Sequence, residues 1–347
     1  MRLTEPDLAA LAGDRGPAMA AAMRLVVAAG EALGAPVLLD ISGAHIDGCL
    51  YHGQASLDFA ERLVSDGAKV SVPTTLNVSS LDLLHPDLYR GDPVTKTKAR
   101  MLMDAYEAMG CRPTWTCAPY QLPERPEPGV NVAWGESNAI VFANSVLGAR
   151  TNRYGDFLDI CCAITGRAPA VGLHTDEGRR ATMRVDVDVP DGWKDRDLLY
   201  VAVGHLLGKT AGTRVAVLTG LDQRADEDRL KALGAAAASS GAVGMFHVAG
   251  VTPEAVTVAM AAGGREPEER IVFDTGMVRG AIAELTTASS TRLSAVSVGT
   301  PHASAEEIAL LAGLASGQAS QVPFYINTGR DVLGRADEAG DVATLER

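Results

Sequence analysis

Between Thr114 and Arg153 the chain gathers one thiol, several hydroxyls and amides, a carboxylate and two guanidinium groups around two short apolar runs. The first half, TWTCAPY over 114–120, sets Cys117 after β-favouring residues and before Ala-Pro-Tyr, which predicts a turn at a strand end. A free cysteine is more often a small buried hydrophobe than a ligand, so residue type alone leaves Cys117 open between the two. The second half, WGESNAIVFANSVLGARTNR over 134–153, reads as a helix that Ser137 caps and Gly148 stops. A helix of about three turns stacks Ser137, Val141, Asn144 and Gly148 on one face, with Ser145 beside them. Glu136 is either a first-turn acid favoured by the helix dipole or, with Ser137 and Asn138, a group turned to a ligand. Past Gly148 come Arg150, Thr151, Asn152 and Arg153, whose two forked cations suit a carboxylate or phosphate. The chemistry this set predicts is the holding of a small anion.

The elements that must position these groups alternate. Thr4 with Asp7 three residues on reads as a capping box for a helix over 7–11, and a second helix over 17–33 stops at Gly34. A strand over 36–41, a helix over 55–66, a strand over 69–72, a helix over 95–110 and a strand over 113–116 follow. Such alternation predicts an α/β fold with mainly parallel sheets wrapped by helices. His45, Thr74, Thr75, Asn77 and Cys117 then lie at the strands' carboxyl ends, where open α/β sheets bind ligands. Each has a plainer reading: a satisfied core histidine for His45, and an ordinary turn for 74–77. His174, beside Asp176 and Glu177, is equally a residue of a solvated loop.

The alternating TMRVDVDVP over 182–190 predicts an edge or antiparallel strand, and a boundary over 190–197 would divide an N-terminal lobe, 1–190, from a C-terminal lobe, 191–347. In the second lobe the pattern predicts helices over 198–207, 226–239, 253–262 and 305–314. Strands are expected over 214–218, 244–248, 292–298 and 323–327. GHLLGKTAG over 204–212 has the wrong glycine spacing for a phosphate loop, so no nucleotide site is assigned.

Composition bounds the classes. At 347 residues, with 47% hydrophobic and 21% charged residues, the chain is long enough for a sizeable core in two lobes. A net charge of −12 argues against a nucleic-acid partner. Five cysteines without a CxxC pair, and no basic-then-apolar leader, predict the reducing cytoplasm, with Cys49, Cys111, Cys161 and Cys162 as core. The uncharged run 232–253 is broken by glycines and carries His247, so no membrane span is expected.

ESNAIVFANSVLGARTNR and TCAPY, with GAHIDGCLYHG over 43–53, VPTTLN over 72–77 and GLHTDEGRR over 172–180, resemble aconitase X, a branch of the aconitase superfamily. The likeness runs in order to about Gly329. It implies aconitase-like, three-layer α/β lobes and the large subunit of a two-subunit hydro-lyase, completed by a small swivelling subunit. The activities implied are dehydration of cis-3-hydroxy-L-proline, which the residues favour because no cation cluster for phosphate stands out beyond Arg150 and Arg153, or of mevalonate 5-phosphate. By resemblance, His45, Thr74, Thr75, Asn77, Glu136, Ser137, Asn138, Asn144, Ser145, Arg150, Thr151, Asn152, Arg153 and His174 bind the substrate. The resemblance also makes Cys117 an iron–sulfur ligand. The second cluster cysteine of the family falls on Thr300, a poor ligand for cluster iron, and the third falls beyond Arg347. A single metal near Thr300 and His302, or no metal, is the alternative. The family commonly reads Glu-Ser-Ser-Ala where this chain has Asn138, and an acid where it has Tyr154. The rival class is a non-catalytic or repurposed homologue.

Overall fold

Thr4 opens the first helix, Glu5–Ala12, by the expected reciprocal cap: its hydroxyl accepts the Asp7 N–H, and the Asp7 carboxylate accepts the Thr4 N–H at 3.0 Å. Gly13 closes that helix in the left-handed region, and Pro17 starts the next, Pro17–Ala32. The computed structural model describes residues 1–347 apart from 191, 192, 194, 195, 222–224 and 316. The expected lobe boundary over 190–197 therefore lies largely outside the described residues. Contacts divide the chain into two compact units. One is Met1–Trp115 with Pro126–Ile140 and Ala149–Arg179; the other is Thr116–Arg125 with Val141–Gly148 and Arg180–Arg347.

In the first unit β1 (Leu38–Asp40) and β5 (Arg167–Pro169) pair antiparallel, while β2 (Ala44–Ile46), β3 (Thr74–Leu76) and β4 (Ala133–Trp134) form a parallel sheet in the order β3-β2-β4. The strands expected over 69–72 and 113–116 do not form. Val70 N–H bonds to Met109 O and Ser71 N–H to Ala163 O, so that stretch is split between two neighbours, and Pro73 has no N–H to offer. The ladder starts one residue later, which places His45, Thr74 and Thr75 inside strands and Asn77 just beyond one. Met19, Met23, Val26, Leu57, Leu63, Leu102, Tyr106 and Ile160 fill the core with Cys49, Cys111, Cys161 and Cys162.

The second unit carries β6 (Met183–Asp188), β7 (Ala216–Thr219), β8 (Phe246–Val248) and β9 (Glu269–Asp274), parallel in the order β8-β7-β6-β9. β6 is thus central and parallel, not an edge or antiparallel strand. Its buried face is Met183, Val185 and Val187; on the other, Asp186 accepts from Thr219 at 2.5 Å, from Arg184 at 2.7 Å and from Arg270 at 2.5 Å. Side-chain partners on both neighbouring strands take the place of the water that the alternation implied. The helices Arg196–Ala211 and Glu227–Ser240 pack on one another so closely that a Cβ at Gly204 would sit 2.2 Å from Leu233 O. Helix packing, rather than a phosphate, accounts for that glycine. Only Val258–Ala261 of the helix expected over 253–262 forms, while β9 and the helix Thr275–Leu285, which Asp274 caps, were not anticipated because charges at 268–270 interrupt the strand pattern. Strands β10 (Val296–Ala303) and β11 (Phe324–Thr328) pair in parallel beside a small core of Ala303, Ile308, Val332 and Ala336. No helix among the described residues is long and apolar enough to cross a membrane.

Candidate active site

Three parallel strands of the first unit end at one level. His45 faces Thr75 and Trp134, and Ile46 faces Leu76. Continuing that register puts Asp47, Asn77 and Glu136 side by side just past the carboxyl ends of β2, β3 and β4, where side chains are free to turn to a ligand. The amide nitrogen of Asn77 donates to Asp47 Oδ1 in a short hydrogen bond. Asn77 is 3% exposed, and its Oδ1 finds no hydrogen-bond partner among the described residues. One step back along the strands, His45 Nδ1 and Thr75 Oγ1 are 2.8 Å apart, and the fully buried imidazole stands edge-on to Trp134.

Glu136 opens the helix that Ser137 was expected to cap. Its Oε2 accepts the Ala139 N–H at 2.7 Å and the Asn138 amide, and its Oε1 accepts the Ser137 hydroxyl at 3.4 Å. The carboxylate reaches the third N–H more readily than the serine hydroxyl, so the cap shifts to Glu136. The helix runs Ser137–Phe142 and then widens to a π turn, Ala143–Leu147, closed as expected by Gly148. That widening moves Asn144 and Ser145 off the regular stack.

Desolvation dominates the electrostatics. Burial pushes the Glu136 carboxyl up to about 7; hydrogen bonds from Ala139 and Asn138 oppose the rise, and the nearby Asp47 charge adds to it. Asp47 is raised as well, first by burial, with the Asn77 bond pulling it down, Asp156 pushing it up and His52 lowering it. Burial lowers the Arg153 guanidinium pKa and the Glu136 charge opposes that, which brings Arg153 into the same field. Beneath them Asp159, fully buried, accepts the N–H groups of Asp47 at 2.8 Å, Gly48 at 3.4 Å and Ile160 at 2.6 Å, and burial raises it to about 7. Gly135 leaves it room: a Cβ there would lie 2.7 Å from Asp159 Oδ2 and 3.1 Å from Asp47 N. Sequence reasoning missed Asp47 and Asp159. The available signals were the place of Asp47 directly after AHI and a single acid in the apolar LDICCAIT.

The remaining candidates of this unit form a brace. Arg150 donates to His174 O at 3.1 Å and pairs with Asp176, while His174 lies between Tyr154 OH at 2.5 Å and Asn131 Oδ1 at 2.8 Å. Burial, with Arg179 and Arg150 nearby, lowers His174 to about 4, and the residue is buried rather than part of a solvated loop. Asn152 accepts the Leu173 N–H at 2.8 Å and donates to Val171 O at 2.9 Å; Thr151 accepts the Trp134 N–H at 3.1 Å; Thr74 donates to Val72 O at 2.8 Å. These side chains fix backbone. A cavity of about 310 Å³ between Gly16 and Ser71, lined also by Arg15, Asp66 and Lys69, contains none of the candidates.

The second unit holds the other group. Thr116 Oγ1 is 2.9 Å from His302 Nδ1, Cys117 Sγ accepts the His302 N–H at 3.2 Å, and Gln121 donates to His302 O at 3.1 Å. Cys117 and the segment that carries Thr300 and His302 are therefore brought together, as the sequence suggested. Thr300 is exposed, precedes a cis peptide bond to Pro301, and lies where β10 loses register. Burial and the Lys231 charge hold His302 near 4. Asn144 donates to Gly244 O at 3.0 Å and Ser145 accepts the Phe246 N–H at 2.9 Å, so both anchor the start of β8. A cluster held by three thiolates does not fit these residues. Cys117 is this unit's one cysteine, the other four lie in the core of the first unit, and no three of His, Cys, Asp and Glu among the described residues stand together as ligands.

Comparison with known proteins covers the chain. Family models described as Aconitase X first, second and third domain match residues 1–177, 181–283 and 293–347. Cis-3-hydroxy-L-proline dehydratases of Pseudomonas aeruginosa and Hypocrea jecorina are 46% and 43% identical over 99% and 100% of this chain. The chain spans only 60% and 59% of the length of those two proteins. A phosphomevalonate dehydratase large subunit of Methanothermobacter thermautotrophicus is 37% identical over 96% of this chain and 82% of its own length. The crystal structure of Thermococcus kodakaraensis aconitase X in its holo form superposes with a TM-score of 0.90 at 35% identity, covering 100% of this chain and 86% of that one.

Proposed function

The chain belongs to the aconitase X family, and from that premise we propose that it is the substrate-binding part of a hydro-lyase that removes water from a small hydroxy acid of the cis-3-hydroxy-L-proline type. The observation that carries the reading is the row of Asp47, Asn77 and Glu136 at three aligned strand ends, in a chain 46% identical to a cis-3-hydroxy-L-proline dehydratase. We assign Glu136 as the general acid. A carboxyl held near 7 keeps a proton at neutral pH and can pass it to a departing hydroxide. The C2–H bond breaks, the C2=C3 bond forms, the C3–O bond breaks, and the Glu136 proton leaves with the oxygen as water. The C–H proton goes to a serine of the small swivelling subunit or domain that the family resemblance implies. Arg153 balances the substrate carboxylate.

Dehydration of mevalonate 5-phosphate is the second reading, favoured by the large-subunit relatives. The implied iron–sulfur cluster is assigned no step, because the donor set described above does not fit it. The cytoplasm is the expected compartment. The test is anaerobic purification with iron and sulfide analysis, followed by assay of both substrates with and without a family small subunit. Dehydration of cis-3-hydroxy-L-proline supports the leading reading. Turnover of mevalonate 5-phosphate alone replaces it with the second, and inactivity on both with the partner present favours the repurposed homologue. Brown protein with stoichiometric iron and sulfide would overturn the statement that this donor set does not hold a cluster.

A further inference from the structure

We infer that Asp47 and Asn77 form a subsite for a protonated amine of the substrate. The inference rests on the reading that a small hydroxy acid binds at these strand ends, and it narrows that acid to one carrying a basic nitrogen beside its carboxylate. Asn77 is the starting point. An ionised carboxylate only accepts hydrogen bonds, so the amide nitrogen of Asn77 must face Asp47 and the amide oxygen must face away. That oxygen is buried and has no donor, a condition rare enough in a folded protein to require an explanation. The charged groups that act on Asn77's partner Asp47 are Asp156, which raises its pKa, and His52, which lowers it, and neither donates to the amide oxygen.

What the amide oxygen lacks is a donor, and a donor that carries positive charge would also pair with Asp47. A secondary ammonium offers two N–H groups and one unit of charge. One N–H satisfies Asp47 and the other Asn77 Oδ1, with no acceptor left facing another acceptor. A phosphate would set its negative charge against Asp47 and give Asn77 Oδ1 nothing to accept. A metal ion is a poorer occupant, since no three candidate ligands among the described residues stand together. The ammonium also serves the reaction, because a positive nitrogen bonded to C2 makes the C2–H more acidic. Its charge would at the same time relieve the desolvation of Asp47.

Calorimetric titration of the full chain with two unreactive ligands tests this. L-Proline carries the ring ammonium; (S)-tetrahydrofuran-2-carboxylate has the same ring and carboxylate with an ether oxygen in its place. L-Proline is expected to bind about tenfold tighter or better, the order of a charge-assisted hydrogen bond. Asp47→Asn removes that preference, and Asn77→Leu reduces it. Equal affinities in the unaltered chain overturn the inference without reliance on any variant. So does a preference that survives Asp47→Asn, binding of neither ligand, or tighter binding of mevalonate 5-phosphate than of L-proline. Because the readout is binding without turnover, the subsite can fail while dehydration of cis-3-hydroxy-L-proline stands. Proline discrimination without any dehydration would fail the reaction and spare the subsite.

Discussion

Burial acts on both polar groups of this chain, with different results. At the strand ends of the first unit it lifts Glu136 to about 7, so the carboxyl exchanges its proton near neutral pH. Around Cys117 in the second unit it drops His302 to about 4, so the imidazole stays neutral near neutral pH. Among the described residues each group leaves one buried acceptor unmet, Asn77 Oδ1 in the first and Gln121 Oε1 in the second, but in the second Thr116, the Cys117 sulfur and the Gln121 amide all meet His302. Similar desolvation thus acts on one group that we propose takes a ligand and moves a proton, and on another that ties distant backbone together.

The largest expected effect is on that proton. Glu136→Gln keeps an oxygen to accept the Ala139 N–H but cannot donate to hydroxide, so kcat should fall by about 10²–10⁴-fold with KM nearly unchanged. In the unaltered enzyme kcat should decline as pH rises through about 7, because the acid form is lost, and the substitution should flatten that limb. A steady-state pH profile checks both. A limb that persists in Glu136→Gln would assign the proton to another group and remove half of the contrast.

The next effect is on stability, with opposite signs in the two regions. Asp159 keeps its proton in the folded state to about 7 against 3.8 for a free carboxyl, so its stabilising contribution is present below about 3.8 and lost as pH rises to about 7. His302 is held neutral down to about 4 against 6.5, so its contribution is present above 6.5 and lost as pH falls toward 4. His174 adds to that acid-side loss. Urea unfolding at pH 5 and pH 7.5 should show Asp159→Asn losing less stability on the alkaline side than the unaltered chain, and His302→Gln losing less on the acid side. Equal slopes in all three proteins would erase the distinction. Below these in size, Gly135→Ala forces a Cβ against Asp159 Oδ2 and Asp47 N, and should cost about 1–3 kcal/mol in the same assay.

The same contrast explains what could be read from the sequence. The α/β alternation, the cap at Thr4 and the stop at Gly148 are local signals, and all appear in the structure. The place of Asn77 past a strand end follows from a general rule about parallel sheets even though the strands themselves begin elsewhere, whereas Glu136 was singled out as a first-turn residue of a helix and its strand, Ala133–Trp134, was not expected. Asp47 and Asp159 were not legible, because their importance arises from a contact across 112 positions of sequence. The brace formed by Arg150, Asn152 and His174 was misleading for a related reason. Guanidinium, amide and imidazole groups in a row look like an anion site, yet here they meet Asp176, Val171 O, Asn131 and Tyr154. Residue types announce what a side chain can bond; only the fold says whether protein has already taken the bond. In the second unit the meeting of Cys117 with His302 spans 185 positions, and nothing local foretold it beyond the family motifs.

The smallest effect tests whether the Cys117 group is a tie or a site. Thr116→Val keeps the side chain's shape and removes its hydroxyl, which lies 2.9 Å from His302 Nδ1 and accepts the Ala118 N–H at 3.1 Å. Two buried partners lose one bond each, so unfolding should become easier by about 1–3 kcal/mol. If the group only ties backbone, L-proline affinity and the pH limb near 7 should not move, since both arise from residues of the first unit. A change in the pH limb larger than the change in stability would show that the group takes part in the proton transfer. The division of labour between the two regions would then fail at the place where its expected cost is least.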